Sequence, residues 1–290
     1  MASWTLRRWQ SIAGMMVLLL SLSSVMGCQL RDSHSTHLSL GNPTHAQPRA
    51  SRTDNYLQIK PQYALAYSQK LGRARWVSWQ LNQTWLGEVD RQNDFRPDPG
   101  LPPDWPPIFP SDYRRTGYDR GHWVPSSDRT RTVEDNSSTF LMTNIMPQAP
   151  DNNQGPWVEL EKDCRTWVQS GQSLYILAGG YGERPAVAGG KLVPPARLWK
   201  VIVRVNSLDG KQPVTPRQID SQTTLIAVDM PNAQGIRDRP WQDYQVTVDQ
   251  IEAATGLNLL SRIPTKLQKN LERQRFPILK PKSAPEPIIP

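Results

Sequence analysis

The chain has 290 residues, of which 37% are hydrophobic and 21% are charged, and its formal net charge is +8. This composition is typical of a globular protein with one large domain or two small ones, able to bury a sizeable core. No repeat at the period of a solenoid or a propeller is visible, which excludes those architectures. A basic balance favours a polyanionic partner, either nucleic acid or an acidic membrane surface, without choosing between them.

Residues 1–27 have the organisation of an export signal. Arg7 and Arg8 precede an apolar run over residues 12–27, which is too short and too rich in serine to span a bilayer. The run leads into VMGC at residues 25–28, which resembles a bacterial lipobox. We therefore predict lipidation of Cys28 and anchoring to the cell envelope. The alternative is an ordinary signal cleavage that leaves a secreted or periplasmic protein.

The two cysteines, Cys28 and Cys164, limit the metal chemistry. Two thiols, with the single histidine expected in the folded part, exclude the usual Cys/His zinc modules. A Cys28–Cys164 disulfide would suit an oxidising compartment. We prefer Cys164 as a buried thiol on a helix.

Composition divides the remaining chain into three segments. Residues 28–52 are mostly polar and are predicted to be a flexible tether. Residues 53–276 are predicted to form the catalytic domain, and the proline-rich residues 277–290 a disordered tail. His122 is then the only histidine expected in the domain, which makes it the candidate general base near neutral pH. The tether would hold three solvated histidines: His34, His37 and His45.

Hydrophobic patterning predicts runs of strands with segregated helices. This order favours an α+β (mixed α/β) fold over a doubly wound parallel sheet. The predicted strands cover residues 63–67, 76–81, 118–124, 140–146, 174–178, 199–205, 224–228 and 245–248, the predicted helices cover 155–170, 249–255 and 265–275, and long loops cover 91–103, 125–138 and 147–154.

A candidate metal site lies at the start of the first predicted helix. Asn153 and Glu161 would lie roughly 80° apart around an ideal helix, close enough to serve one site. Their oxygen atoms suit Mg²⁺, which keeps most of its waters and takes few protein ligands. Taken singly, Asn153 would equally well cap the helix, and Glu161 would pair with Arg165 at i,i+4 spacing.

Three arginines are available for phosphate oxygens, which a guanidinium group binds bidentately: Arg91, Arg120 and Arg165. A general base, a hard cation and guanidinium groups together fit the hydrolysis of a phosphodiester.

Three sequences in order carry a family resemblance: DRGH at residues 119–122, TNIMPQ at 143–148 and NNQGPWVELE at 152–161. Together they resemble the DNA/RNA non-specific endonucleases of the ββα-metal class, especially sugar-nonspecific cyanobacterial members. The likeness extends from about residue 38 to residue 261. It implies a central antiparallel-rich sheet flanked by helices, with a ββα-metal finger at the core. This family varies at residues 154–156, so substitutions there are expected to leave the function unchanged.

The resemblance also implies a role for each matching residue. His122 would be the general base that activates water, and Asn144 would orient the site by hydrogen bonding near it. Asn153 would be the direct Mg²⁺ ligand, with Glu161 holding the ion through water. Arg91 would clamp the scissile phosphate and its transition state. Four further residues would shape the motif or contact phosphate: Asp119, Arg120, Arg165 and Arg96.

The implied enzyme hydrolyses single- and double-stranded DNA and RNA without sequence preference, using one Mg²⁺ for which Mn²⁺ would substitute. Its products would be 5′-phosphate and 3′-hydroxyl ends. A monomer is expected, and the family resemblance raises a proteinaceous inhibitor as a partner. The rival hypotheses are a catalytically silent nucleic-acid-binding lipoprotein, a metal-free ribonuclease that uses the 2′-hydroxyl, and a non-enzymatic envelope protein.

Overall fold

The structure is a computed structural model, and it describes residues 35–207 and 209–276. The predicted signal peptide (residues 1–27), the lipidation site Cys28 and the tail (277–290) lie outside the described residues. All described residues except Ser35 belong to one compact unit, Thr36–Pro290. Within the described ranges, no helix is long and apolar enough to cross a membrane.

Seven strands form one antiparallel sheet in the order β1-β2-β3-β6-β7-β8-β9, and β4 and β5 form a separate two-stranded sheet. The longest ladder joins β6 and β7, from Gln172 opposite Asn206 to Glu183 opposite Pro195. The strands are β1 (Tyr56–Ile59), β2 (Ala64–Ser68), β3 (Arg73–Leu81), β4 (Asp119–His122), β5 (Ile145–Gln148), β6 (Gln172–Glu183), β7 (Pro195–Asn206), β8 (Thr224–Pro231) and β9 (Gln245–Val246).

The α-helices of a full turn or more in the described ranges are α1 (Val133–Ser138), α2 (Val158–Gln169), α3 (Val248–Thr255) and α4 (Thr265–Glu272). A helical turn over Pro150–Asn152 and a π-helical segment over Asn153–Trp157 lead from β5 into α2. The element order β4, β5, α2 therefore forms a ββα unit beside the large sheet.

The large sheet is buried on both faces, because its strands alternate between two cores. Leu160, Cys164 and Val168 of α2 belong to the first core, together with Val77 and Trp79 of β3. The second core contains the neighbouring strand residues, including Trp76, Tyr175, Leu177, Trp199 and Val201, and the buried faces of α3 and α4. The predicted burial of Cys164 is thus confirmed, since its side chain is 2% exposed.

The predicted α+β class and the antiparallel-rich sheet are confirmed. Three local predictions are wrong. Residues 147–154, assigned to a loop, include the end of β5 and the helical turn Pro150–Asn152. Residues 133–138, assigned to a loop, form α1, because the side chain of Thr132 caps this helix by accepting a hydrogen bond from the Asp135 amide. Residues 140–146, assigned to a strand, instead contain a 3₁₀ turn at Met142–Asn144, and the strand begins at Ile145.

The prediction of a flexible tether is wrong for the described residues before Asp54. Leu38, Leu40 and Ala46 are buried in the second core, where they cover one face of the sheet. The polar residues around them bond to the sheet rather than to water: the hydroxyl of Ser39, for example, donates to the Val214 carbonyl at 2.8 Å. A few apolar anchors with many hydrogen bonds are therefore enough to fix this segment.

The same segment shows that His122 is not the only histidine of the fold. His37 is 2% exposed, and its Nδ1 accepts a hydrogen bond from the Gln80 amide at 3.1 Å. That bond leaves the proton on Nε2, which lies 2.8 Å from the Pro61 carbonyl oxygen. His45 is folded but exposed, with a left-handed backbone φ of 49°. His34 lies outside the described residues.

Candidate active site

The β4–β5 ladder sets the position of the DRGH sequence. Asp119 lies opposite Gln148 and His122 opposite Ile145. Gly121 is required between them, because a Cβ at this position would lie 2.0 Å from Oε1 of the Gln148 side chain. Gln148 itself is fully buried and donates from Nε2 to Oδ1 of Asn152 at 2.7 Å. The strand pair is thereby joined to the turn that precedes α2.

The turn before α2 separates two adjacent asparagines. Asn152 is fully buried, and its Nδ2 donates to the Pro231 carbonyl at 3.0 Å. Asn153 lies on the other side of the turn and lines two cavities. This arrangement depends on Gly155, whose φ of −115° and ψ of −119° are non-helical.

The expectation that substitutions at residues 154–156 leave the function unchanged is wrong at Gly155. A Cβ on Gly155 would lie 2.5 Å from the Arg237 carbonyl oxygen and 2.7 Å from its Cα. These are backbone atoms, which cannot rotate away as a side chain does, so a larger residue would displace either the turn or the loop that carries Arg237.

A cavity of about 360 Å³ lies between β4, the turn and α2. Three arginines and one carboxylate in its wall make the surroundings of a bound group basic. The structure brings six of the predicted site residues to this wall: Arg91, Arg120, His122, Asn153, Glu161 and Arg165.

His122 lies half-buried at the end of β4, next to two aromatic rings. The edge of its imidazole meets the ring of Phe140 at a centroid distance of 5.0 Å, and Phe95 lies at 5.5 Å. Burial, together with the positive charges of Arg91 and Arg120, lowers the pKa of His122 to about 3. The imidazole is therefore neutral at physiological pH and has one nitrogen able to accept a proton.

The Nε2 atom of His122 is buried and has no hydrogen-bond partner among residues 35–207 and 209–276. Buried polar atoms are usually hydrogen-bonded in folded proteins, and one that lies in a cavity wall is available to a ligand or a water molecule. This atom adds a second reason to place chemistry at His122.

Asp119 fixes the orientation of the Asn153 amide. Its Oδ2 accepts hydrogen bonds from Nδ2 of Asn153 at 2.9 Å and from Nε2 of Gln154 at 2.8 Å. A carboxylate only accepts, so the amide group facing it must be the NH₂. The Oδ1 atom of Asn153 is thus the one left for another ligand.

Glu161 lies in the cavity wall next to Lys200, a buried residue that the sequence analysis did not identify as part of the site. The Nζ atom of Lys200 is 3.4 Å from Oε1 of Glu161 and 4.0 Å from the centre of the Trp157 ring. Burial raises the pKa of Glu161, and the positive charge of Lys200 opposes that rise. Alternation along β7 could have revealed Lys200, because this residue lies between Leu198 and Ile202, whose side chains face the first core.

Each of the three arginines is held from a different direction. Nη1 of Arg91 donates to the hydroxyl of Ser126 at 2.7 Å. Nη1 of Arg165 pairs with Oδ1 of Asp128 at 3.0 Å rather than with Glu161. Arg120 stacks on Phe95, with its Cζ 4.2 Å from the ring centre. The guanidinium groups are oriented before any ligand binds.

Three predicted residues lie outside the cavity wall: Asp119, which orients Asn153, and Asn144 and Arg96. Asn144 is fully buried and forms two hydrogen bonds with the backbone of Val124. Its Oδ1 accepts from the Val124 amide and its Nδ2 donates to the Val124 carbonyl, both at 3.0 Å. It fixes the chain just after His122, and within the described part of the chain it forms no hydrogen bond with the imidazole. Arg96 pairs with Asp94 at 2.6 Å and is not brought to the cavity.

A loop after β8, also missed from the sequence, supports the start of α2. Nε of Arg237 lies 3.1 Å from Oδ1 of Asp151, and its Nη1 donates to Oε1 of Gln154 at 3.0 Å. Gln154 in turn donates to Asp119. Arg237 is therefore connected through hydrogen bonds to the carboxylate that orients Asn153.

The donor set of the cavity fits a hard divalent cation. It offers the amide oxygen of Asn153 and the carboxylate of Glu161, and oxygen donors with few protein ligands are what Mg²⁺ takes. Cysteine and histidine, which favour softer metals, contribute only His122 to this wall.

Comparison with solved structures shows that this fold is already known from another protein. The fold matches the structure described as the EndoG/EndoGI complex with a TM-score of 0.66, over 81% of this chain and 95% of that one, at 23% sequence identity. That likeness concerns the fold alone.

Sequence comparison identifies the family. The profile of the DNA/RNA non-specific endonucleases matches residues 41–266. The chain is 43% identical to a nuclease of Nostoc sp. over 90% of this chain and 95% of the relative. It is 29% identical to human mitochondrial endonuclease G over 71% of each. The protein therefore belongs to the DNA/RNA non-specific endonuclease family, a family of metal-dependent nucleases, and the predicted resemblance is confirmed.

Proposed function

We propose that the protein is a Mg²⁺-dependent endonuclease that hydrolyses the phosphodiester bonds of both DNA and RNA with His122 as general base. The observation that carries this proposal is the single cavity wall shared by a neutral imidazole, two oxygen donors and three guanidinium groups. Each part has a chemical task in phosphodiester hydrolysis.

His122 would take a proton from the attacking water. Its lowered pKa keeps the imidazole unprotonated down to acid pH but also makes it a weaker base, so the role rests on the place of His122 in the cavity wall. A positioned base contributes roughly 10²–10⁴-fold to such a reaction. Asn144 would act on His122 indirectly, as a positioning residue that fixes the backbone of Val124.

The arginines would bind the phosphate that is cleaved. Arg91 and Arg120 lie on the His122 side of the cavity, and their charges are close enough to lower the pKa of its imidazole. Guanidinium groups held in this way stabilise negative charge as it develops at phosphorus. Arg165, paired with Asp128, would contribute to the same basic wall.

Asn153 would hold Mg²⁺ through its Oδ1 atom, and Glu161 would hold the ion through water. When bound, the cation neutralises charge on the phosphate and on the leaving oxygen. Asp119 would keep the Asn153 amide in the orientation that this requires. Mn²⁺, which accepts the same oxygen ligands, would substitute.

The proposed substrate range follows from the nucleophile. Because water attacks, the 2′-hydroxyl of RNA is not needed, and DNA and RNA would both be cut. Contacts to phosphate carry no sequence information, so cleavage would show no sequence preference. Water attack with departure of the 3′-oxygen would leave 5′-phosphate and 3′-hydroxyl ends.

We further propose that the protein acts outside the cytoplasm, either anchored through Cys28 or released. The support is the charged and apolar pattern of residues 1–27 and the VMGC sequence that follows. A proteinaceous inhibitor is also proposed as a partner, because the structural neighbour is described in a complex that explains inhibition of EndoG.

Incubation of the purified protein with supercoiled plasmid and with RNA, each with Mg²⁺ or EDTA, tests the proposal. We expect both substrates to be lost only with Mg²⁺, and the fragments to be labelled by polynucleotide kinase only after phosphatase treatment. Binding without cleavage, by a folded protein, would favour a nucleic-acid-binding protein instead. Cleavage of RNA alone, in EDTA, would favour a ribonuclease that uses the 2′-hydroxyl.

A further inference from the structure

A second, larger cavity of about 570 Å³ adjoins the candidate active site. The two cavities share Arg91, Arg120 and Asn153 in their walls. We propose that this second cavity binds the nucleotide next to the scissile phosphate, and that Arg114 contacts the phosphate of that nucleotide. This inference rests on the proposed function and names a substrate-binding residue for it.

The charge of the second cavity suits a polyanion. Its outer wall adds Arg114 to the shared Arg91 and Arg120, and Ser111 supplies a hydroxyl donor. The one carboxylate in the wall, Asp119, already accepts two hydrogen bonds from Asn153 and Gln154. The guanidinium groups therefore dominate the field that a phosphate would meet.

Arg114 is the cation of this wall that lacks a partner. Among residues 35–207 and 209–276 it has no side-chain hydrogen bond or ion pair, and its side chain is exposed. Arg91 is bonded to Ser126, and Arg120 stacks on Phe95. A phosphate oxygen would give Arg114 the bidentate partner that guanidinium groups take in nucleic-acid complexes.

The segment that carries Arg114 is anchored to the fold. Tyr113 is 6% exposed and packs in a small apolar cluster with Ile108, Met142 and Ile145. Asp112 accepts from the Phe109 amide at 2.8 Å and pairs with Lys191 at 2.9 Å. The backbone position of Arg114 is thus set by the fold before substrate binds, so that only its side chain must be ordered on binding.

The wall also holds three aromatic residues, the buried Tyr113 and the partly exposed Phe95 and Tyr118, which add apolar surface beside these cations. Single nucleic-acid strands are bound by this combination of basic groups along the backbone and aromatic groups for the bases. A free inorganic anion would need only the charges, whereas a nucleotide uses both. The continuity with the site of His122 also favours the next nucleotide of the same strand over an unrelated ligand.

Arg115 provides a charge-matched control. It is the next residue, it is exposed, and it is not part of the cavity wall. Arg114→Ala and Arg115→Ala can therefore be compared on a short single-stranded oligonucleotide and on bis-nitrophenyl phosphate, a diester too small to reach the second cavity. We expect Arg114→Ala to lower kcat/KM for the oligonucleotide roughly tenfold relative to the small diester, through KM, and to reduce the salt slope by about 1.

Fluorescence anisotropy of a labelled oligonucleotide in EDTA measures binding without cleavage. It tests the role of Arg114 in binding separately from the proposed catalysis. We expect Kd to rise roughly tenfold in Arg114→Ala and to stay near the wild-type value in Arg115→Ala. Equal effects of the two substitutions, or equal loss of both substrates in Arg114→Ala, would overturn the inference. A wild type that binds but cuts neither substrate would contradict the proposed catalysis alone, since the anisotropy comparison still tests Arg114.

Discussion

Oδ2 of Asp119 lies 2.9 Å from Nδ2 of Asn153. This contact joins the DRGH strand to the turn before α2, and it decides which atom of the Asn153 amide is available for a ligand. Because the carboxylate can only accept, the NH₂ group faces it and the amide oxygen is left free. The acidic residue of the DRGH sequence therefore acts on the candidate metal ligand rather than on the histidine three residues later.

Removal of this contact is predicted to weaken metal binding. Asp119→Ala leaves the amide of Asn153 free to rotate, and loss of an orienting partner typically costs 10–100-fold in metal affinity. Isothermal titration with Mn²⁺ measures this directly, and Asp104→Ala, at an exposed loop position, is the control. An unchanged Mn²⁺ affinity in Asp119→Ala would show that Asn153 does not need its partner.

Arg237 is predicted to support the same amide from a greater distance. Arg237→Ala removes its contacts with Asp151 and Gln154, so we expect a smaller loss, roughly threefold in metal affinity. At saturating metal, kcat should return close to the wild-type value. Arg239→Ala is the matched control, because Arg239 lies in the same loop but pairs with Asp243. Equal metal affinities in the two variants would contradict the proposed support.

The buried pair of Lys200 and Glu161 is predicted to respond to single and double substitution in opposite ways. Lys200→Met leaves Glu161 without its cation, and breaking a buried pair costs roughly 3–5 kcal/mol. Adding Glu161→Gln removes the uncompensated charge, so the free energy of unfolding should recover in the double variant while nuclease activity stays low. Urea denaturation with activity assays measures both. A double variant as unstable as Lys200→Met would contradict this explanation.

Stability is predicted to fall in acid because of the buried His37 and the half-buried His122. Burial and nearby arginines lower the pKa of both His37 and His122 to about 3, from an ordinary 6.5. Between these values the unfolded chain binds protons that the folded protein does not, so the free energy of unfolding falls as pH falls. Each histidine should contribute about 1.5 kcal/mol of that loss between pH 6.5 and pH 5.

Urea denaturation across this pH range tests the contribution of His37. His37→Gln should make the fall in stability shallower, whereas His45→Asn, at an exposed position that already has a left-handed backbone, should leave it unchanged. Identical pH dependence in the wild type and His37→Gln would contradict the neutral, buried state of His37.

The sequence predicted the parts of the site that lie within continuous motifs. His122 is carried by β4, Asn153 by the turn before α2 and Glu161 by α2. All three lie within the sequence motifs that carry the family resemblance. Lys200 and Arg237 come from β7 and the loop after β8, so their contribution depends on which strands are neighbours in the sheet. The i,i+4 spacing on α2 predicted an ion pair between Arg165 and Glu161. Arg165 instead pairs with Asp128, a residue outside the helix, so the pattern of the helix alone could not predict this contact.

The error at the N-terminal segment has a similar cause. Residues before Asp54 have few apolar side chains, and composition alone predicted a tether. Their burial depends on hydrogen bonds to distant residues, such as the Ser78 hydroxyl and the Tyr175 hydroxyl that both donate to the His37 carbonyl. Contacts between residues so far apart in the chain leave no local pattern.

Replacement of His122 is the measurement that tests the central claim most directly. His122→Ala should lower kcat/KM on both plasmid DNA and RNA by roughly 10²–10⁴-fold, because it removes the base. Its Mn²⁺ affinity and circular dichroism spectrum should stay close to those of the wild type, which would show that the fold and the metal ligands are intact. Wild-type rates in a folded His122→Ala variant would contradict the assignment of His122 as the general base.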